Sequence, residues 1–176
     1  MKQFTANNLK LNNPVKDFMI KDPYTAEITD NVKEAIELMV SNKIGSIIIV
    51  NSNKKPINIL TRTDILKLIF FNYTDITIKD ALKILKKEKV KLFTINENDP
   101  ITDCIEIFVS KGIKHLPVVN SKNEVIGVIS ATDIIQKVSY LIFIDNLTGF
   151  GNRHYFESLK VKLHKSHGKI TTGLLM

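Results

Sequence analysis

Apolar and polar positions follow the same order twice along the chain. Each time, an amphipathic helix with apolar residues at i, i+3, i+4 and i+7 precedes a short apolar strand, a polar turn, a returning strand and a second helix. The first copy places the stripe at Val32, Ala35, Ile36 and Met39, the strands at Ile44–Val50 and Ile57–Leu60, and the second helix from Thr61. The second copy places them at Ile101, Cys104, Ile105 and Phe108, at Leu116–Val119 and Val125–Ile129, and from Ser130.

The two copies align without gaps at a shift of 69 residues. From Thr25 to Ile69, 14 of 45 aligned positions are identical. Before Thr25 the shift falls to 63, so the second copy holds six extra residues there (69 − 63 = 6). A short extended segment before the first helix makes each copy a βαββα unit. Neither copy has enough sheet to cover its helices. We therefore expect an α+β fold in which two tandem repeats pack sheet to sheet with pseudo-two-fold symmetry.

Four segments follow from this alignment. Residues 1–13 form a polar, Asn-rich N-terminal arm, residues 14–74 the first repeat and residues 75–140 the second. Residues 141–176 form a linker helix and a helical stub at the C-terminus. The apolar stripes of the two first helices offer more surface than one small sheet can cover, which predicts a homodimer.

Composition and charge narrow the function. The net charge of +7 is spread over the chain, with +4 in residues 1–144 and +3 in residues 145–176. The densest basic run, Lys83–Lys91, is interleaved with apolar residues as in a solvated helix face running into a strand, so we expect no nucleic-acid binding. No apolar run approaches the roughly 20 residues of a membrane span. The single cysteine, Cys104, fits a reducing cytoplasm, and its position on the apolar stripe indicates burial.

The candidate chemistry lies where each second helix begins. The sequences are Thr61-Arg-Thr-Asp64 and Ser130-Ala-Thr-Asp133. Such a pattern can be a capping box, in which the hydroxyl and the acid satisfy backbone amides of the helix start. The same geometry can seat a phosphate on the amides and hydroxyl and a ribose on the carboxylate. The pattern alone leaves both interpretations open.

The doubled motif and the Ile113-Lys-His-Leu-Pro-Val-Val segment resemble a pair of CBS domains, also called a Bateman module, over residues 14–140. The resemblance implies a regulatory module that binds AMP, ADP, ATP or S-adenosylmethionine in clefts between the repeats. One site would comprise Ser130, Thr132, Asp133, Lys114 and His115, with Thr25, Gly45 and Ser46 from the other repeat. Its twin would comprise Thr61, Thr63, Asp64, Thr94 and residues near Ile113.

The first copy departs from this family pattern. Asn58 stands where the second copy has Gly127, and the strand before it lacks the proline present as Pro117. We therefore expect the Asp133 site to be the more competent of the two. The alternative function is a purely structural dimerisation module without ligand.

The tail carries a second resemblance. Residues 145–156 match the entry motif of GGDEF domains, Asp-x-Leu-Thr-Gly-Leu-x-Asn-Arg-x-x-Phe, except for Phe150. The resemblance implies that the parent polypeptide is a diguanylate cyclase in cyclic di-GMP signalling, whose own GGDEF domain is the partner of this module. The signature loop and the magnesium carboxylates are absent from these 176 residues. The chain itself therefore has no predicted catalytic or metal-binding residues, since His164 and His167 lack a third ligand.

Overall fold

The computed structural model describes residues 13–143 and their side chains as far as residue 137. Residues 13–133 belong to one compact unit, and residues 134–143 belong to another. After a 3-10 turn at Val15–Asp17, the strands are β1 (Ile20–Lys21), β2 (Thr25–Glu27), β3 (Ser46–Val50), β4 (Pro56–Thr61), β5 (Ile95–Asn96), β6 (His115–Val119) and β7 (Val125–Ser130). The helices are α1 (Val32–Ser41), α2 (Arg62–Phe70), α3 (Ile78–Ile84), α4 (Ile101–Lys111) and α5 (Ala131–Phe143).

Two sheets correspond to the two repeats. One has the order β2-β3-β4, and the other has the order β1-β7-β6-β5. In both, a short strand pairs parallel with the buried central strand, which pairs antiparallel with the returning strand. The predicted α+β fold of two βαββα repeats is confirmed. The predicted strand near Lys91 is wrong, because residues 85–94 belong to no helix or strand and β5 begins at Ile95.

The segment that leads into each repeat is bound to the other repeat. The amide of Val15 donates to the carbonyl of Asp99 at 2.9 Å, and the amide of Ile78 donates to that of Asp30 at 2.8 Å. The donors Val15 and Ile78 are related by the shift of 63 residues, and the acceptors Asp30 and Asp99 by the shift of 69. The two bonds are therefore equivalent under the pseudo-two-fold relation of the repeats. β1 likewise pairs with β7 of the second repeat. The two repeats therefore exchange their leading segments, which a linear alignment does not show.

Gly127 accounts for the fourth strand of the larger sheet. A Cβ at this position would lie 3.1 Å from the carbonyl oxygen of Ile20 and would overlap the side chain of Met19. β1 can approach β7 only because that atom is absent. The equivalent position in β4 is Asn58, whose side-chain amide donates to the carbonyl of Lys87 at 3.0 Å, and β4 is the edge of its three-stranded sheet.

The apolar stripes of the first helices lie in the core. The residues with less than a tenth of their surface exposed are Val32, Ala35, Met39, Ile101, Cys104 and Phe108. Ile36 and Ile105 are half-buried. The expectation that these stripes are left over for self-association is therefore wrong, because the sheets and the exchanged segments cover them. α3 contributes Ile78, Ala81 and Leu82 to the core cluster that holds the α1 stripe.

Candidate functional site

The helix start of the second repeat is a closed capping box with one free carboxylate oxygen. The amide and the hydroxyl of Ser130 donate to Oδ2 of Asp133 at 2.9 and 2.6 Å, and the Asp133 amide donates back to the Ser130 hydroxyl at 3.1 Å. Among the described residues, every hydrogen bond to the carboxylate ends on Oδ2, and no cation forms an ion pair with it. Asp133 is half-buried and Thr132 is exposed. The capping interpretation thus holds, and it leaves Oδ1 available to another donor.

His115 joins the two repeats beside this helix start. It pairs with Ser130 across β6 and β7, and a Cβ at Gly45 of the first repeat would lie 3.1 Å from its Nε2 atom. Burial lowers the pKa of His115, the Asp133 carboxylate partly raises it, and the positive charges of Arg62 and Lys114 lower it further. The net pKa lies below its ordinary value, so the imidazole is neutral at pH 7. His115 therefore contacts Gly45 of the first repeat and pairs with Ser130, the first residue of the Asp133 capping box.

The helix start of the first repeat has the same box but a different environment. The amide and hydroxyl of Thr61 donate to Oδ2 of Asp64 at 2.9 and 2.7 Å. The ammonium of Lys87 donates to the same oxygen at 2.8 Å. Burial raises the pKa of Asp64, but the hydrogen bonds from Lys87 and Thr61 outweigh it, so the net pKa is lowered. Asp64 is therefore a buried, paired anion, unlike Asp133.

A cleft of about 360 Å³ opens beside this first helix start. Its walls include Thr61 and Thr63 from the first repeat, and Ile113, Lys114 and His115 from the second repeat. The connecting segment contributes Lys87, Val90, Lys91, Leu92 and Phe93. Residues from both repeats therefore meet here. Lys114 and His115, which the resemblance groups with Asp133, line the cleft on the Asp64 side.

The remaining predicted residues lie at the ends of strands. Thr25 begins β2 and Thr94 immediately precedes β5, and these positions are equivalent in the two repeats. Ser46 begins β3 and pairs with Thr61. Thr94 does not line the cleft of the first repeat, and no described hydrogen bond connects Thr25 with Asp133. His115 contacts Gly45, pairs with Ser130 and lines the cleft beside Thr61, whereas no described contact connects Thr25 or Thr94 with these residues.

Sequence reasoning missed three side chains. Lys87 was counted with a solvated basic face, although it stands directly before the six extra residues of the second copy. Arg62 donates to the carbonyls of Lys43 and Ile44 at 3.3 and 3.4 Å and lies near His115. Phe93 lines the cleft beneath the ammonium groups of Lys91 and Lys111, at 5.5 and 5.6 Å from its ring centre. The position of the insertion was the one signal that could have indicated Lys87.

Residues 13–143 contain neither a cluster of metal-binding side chains nor a membrane-spanning helix. Within that range, no cluster of three or more His, Cys, Asp or Glu side chains is placed to hold a metal ion. The helices of the same range are too short or too polar to cross a bilayer. The prediction for residues 145–156 lies outside the described residues.

A family model connects this geometry to known proteins. The model of the CBS domain matches residues 15–70 and 88–140, which together make up more than half of the chain. The two matched segments contain the Asp64 and Asp133 helix starts, one in each. They end at residue 140 and so carry no information on the tail.

Individual relatives share this part of the chain. An uncharacterised protein of Methanopyrus kandleri, MK0525, is 28% identical over 69% of this chain and 61% of its own length. Inosine-5'-monophosphate dehydrogenase of Aquifex aeolicus is 32% identical over 69% of this chain, but only 24% of that enzyme is covered. This chain thus spans less than two thirds of either relative.

Solved structures show the same fold. The CBS domain pair of protein MJ0100, in complex with 5'-methylthioadenosine and S-adenosyl-L-methionine, is 25% identical, covers 72% of this chain and 95% of that one, and superposes with a TM-score of 0.62. The CBS domain protein PAE2072 of Pyrobaculum aerophilum, complexed with AMP, superposes with a TM-score of 0.63 at 20% identity, over 73% of this chain and 95% of that one. At that identity the second structure supports the fold alone.

Proposed function

Because this chain belongs to the CBS domain family, we propose that it is a regulatory module that binds an adenosine-containing ligand between its two repeats. The observation that carries the proposal is the state of Asp133. Its carboxylate stands in the first turn of a helix, where it acts on the charge of His115, and its Oδ1 is free of described hydrogen bonds. The ligands of the MJ0100 domain pair, both adenosine derivatives, support the chemical class.

The chemistry of the second helix start fits such a ligand. The amide of Ala131 donates to the carbonyl of Lys114 and that of Asp133 to the Ser130 hydroxyl, so Thr132, with its exposed hydroxyl, is the residue of this helix start that can hold a phosphate or another polar group. A carboxylate this close to a phosphate would repel it unless the carboxylate binds something else. The two hydroxyls of a ribose are suitable donors for Asp133, and a ribose bound there would bring the nucleoside beside His115.

A thermal-shift screen tests the proposal. AMP, ADP, ATP and S-adenosylmethionine should be compared with GTP as the control. A ligand at a hundred times its dissociation constant should stabilise the fold by about 2.7 kcal/mol, which corresponds to a rise of several degrees in Tm. Asp133→Ala should abolish the rise measured from the variant's own unliganded Tm, which should itself fall because the substitution opens the capping box. If no adenosine compound raises Tm, the sensor function is excluded and the structural alternative stands.

The proposed output is a diguanylate cyclase domain that follows the module in the parent polypeptide. Its support is the sequence from Asp145 to Phe156, which resembles the GGDEF entry motif. The residues encoded after Met176 should then contain a Gly-Gly-Asp/Glu-Glu-Phe loop and the carboxylates that bind magnesium. A continuation without them would remove the cyclase from the proposal and leave the ligand site untouched.

A structural dimerisation module is the second candidate. The observation that favours it is a set of exposed apolar side chains at equivalent positions of the two repeats. Val40 corresponds to Val109 and Leu66 to Ile135, and each of the four is at least 66% exposed. We propose a homodimer both for the ligand-binding module and for the structural module, because self-association does not require an empty ligand site.

A further inference from the structure

The Lys87 ammonium forms an ion pair with Asp64, the acid of the first helix start. It donates to Oδ2 of Asp64 at 2.8 Å and to the carbonyl of Ile59 at 2.6 Å. With the two donors of Thr61, Oδ2 accepts three hydrogen bonds. The side chains of Lys87 and Asp64 are only 19% and 12% exposed. This is therefore a covered ion pair and not a loose surface contact.

The backbone around Lys87 is fixed in this position. The Lys87 amide donates to the carbonyl of Leu82 at 2.8 Å. The carbonyl of Lys87 accepts from the amide of Val90 at 3.2 Å and from the side chain of Asn58 at 3.0 Å. Asn58 is the residue that replaces the glycine of the second repeat. Its amide thus holds the chain at the point from which the lysine reaches Asp64.

The second helix start has no such cation. Under the shift of 63 residues the position of Lys87 corresponds to Tyr24, whose hydroxyl donates to Asn42 at 2.6 Å. The position of Asn58 corresponds to Gly127. Lys87 and Asn58, which we call the lock because together they hold an ammonium on Asp64, are therefore both replaced in the second repeat. Asp133 has no described ion pair.

We infer that Lys87 is an internal counter-ion that closes the first cleft to ribose, so that the chain binds a single nucleoside, at Asp133. Oδ1 of Asp64, like that of Asp133, accepts no described hydrogen bond, so the two sites differ in the ammonium on Oδ2. A ribose that used both oxygens of Asp64 would have to displace this ammonium from an oxygen that already accepts three hydrogen bonds. Lys87 would then lose two acceptors in a largely covered position. The inference rests on the proposed function and adds which of the two helix starts binds the ribose.

Calorimetric titration with AMP, and in parallel with S-adenosylmethionine, measures the number of ligands per chain. The expected value is about one for the wild type and none for Asp133→Ala. Lys87→Ala should bind about two, and the double variant Lys87→Ala/Asp133→Ala should regain about one. Lys89→Ala, which removes an exposed lysine of the same segment, is the matched control and should behave like the wild type. Two ligands on the wild type, or one retained by Asp133→Ala, would overturn the inference.

Amine labelling tests the lock without any nucleotide. A small acylating reagent followed by mass spectrometry should modify Lys87 several-fold more slowly than Lys89, and Asp64→Asn should accelerate labelling of Lys87 alone. Equal rates at Lys87 and Lys89 in the wild type would overturn the inference. Slow labelling of Lys87 combined with no nucleotide binding by any variant would support the lock and count against the proposed function instead.

Discussion

His115 is the side chain on which burial and charge from both repeats act together. Burial lowers its pKa most, Asp133 opposes this, and Arg62 and Lys114 add to the lowering. A lowered pKa in the folded state stabilises the protein above the unfolded value, near pH 6.5. That contribution is lost as the pH falls below 6.5 through the lower folded pKa.

The stability of His115→Gln should therefore depend less on pH. Between about pH 7.5 and 5, the wild type should lose more Tm than the variant, because only the wild type must protonate a half-buried imidazole near two cations. Melting curves across this range, with Asn123→Gln as a distant control, provide the comparison. Parallel Tm profiles for the wild type and His115→Gln would show that the imidazole is not held neutral by its surroundings.

The two acids also show what sequence can and cannot predict at this scale. Both capping boxes are local, since hydroxyl and acid are three residues apart, and the sequence pattern predicts them correctly. The ion pair of Lys87 spans 23 residues. It depends on the backbone conformation of residues 85–94 and on the anchor at Asn58, and neither follows from hydrophobic periodicity.

At the scale of elements, the central strands and the helices were predictable, but their exchange was not. β3, β4, β6 and β7 follow from apolar runs bounded by polar turns, and each begins or ends within about two residues of its predicted limits. β1 has two residues and exists because Gly127 allows a close approach. Periodicity within a repeat does not indicate that the segment before it packs on the other repeat.

The ends of the two first helices differ in one residue with a measurable effect. Gly112 directly follows α4 and has φ +63°. The equivalent residue after α1 is Lys43, which lies in the same left-handed region at φ +55°. Nothing lies within 4 Å of a Cβ at Gly112, so only the backbone decides the cost. Lys43→Gly should stabilise the fold by about 0.5–1 kcal/mol, and Gly112→Lys should destabilise it by a similar amount.

Urea denaturation of the two variants measures both changes, with Glu37→Gly at an exposed position in the interior of α1 as the opposite control. That substitution should destabilise, because glycine is a poor helix former. A loss of stability in Lys43→Gly would mean that the lysine side chain contributes more than its backbone conformation costs.

At the scale of the whole molecule, the exposed apolar surface borders the predicted stripe of α1, because Ile36 and Met39 line the same hollow as the exposed residues of α1 and α2. α1 and α2 border a hollow of about 440 Å³, and Val40, Leu66 and Ile69 on its walls are 71%, 66% and 48% exposed. Burial of these apolar side chains against another apolar surface is favourable, and a second copy of the chain provides such a surface. The repeat-equivalent residues Val109 and Ile135 are similarly exposed.

Sedimentation should therefore detect a dimer at micromolar concentration. Val40→Glu/Leu66→Glu should shift the chain to a monomer, because burying two carboxylates in an apolar interface is unfavourable. Ile84→Glu, at a residue of α3 that is 42% exposed, is the matched control and should leave the dimer intact. A wild type that sediments as a monomer would contradict the proposed dimer.

A crystal structure of the chain grown with saturating AMP tests the central claim most directly. We expect the ribose hydroxyls within hydrogen-bond distance of the Asp133 carboxylate, the nucleoside beside His115 and Gly45, and the Lys87–Asp64 ion pair unchanged. Electron density for AMP in the cleft beside Asp64, with Asp133 unoccupied, would contradict the account, as would AMP bound anywhere that does not involve Asp133.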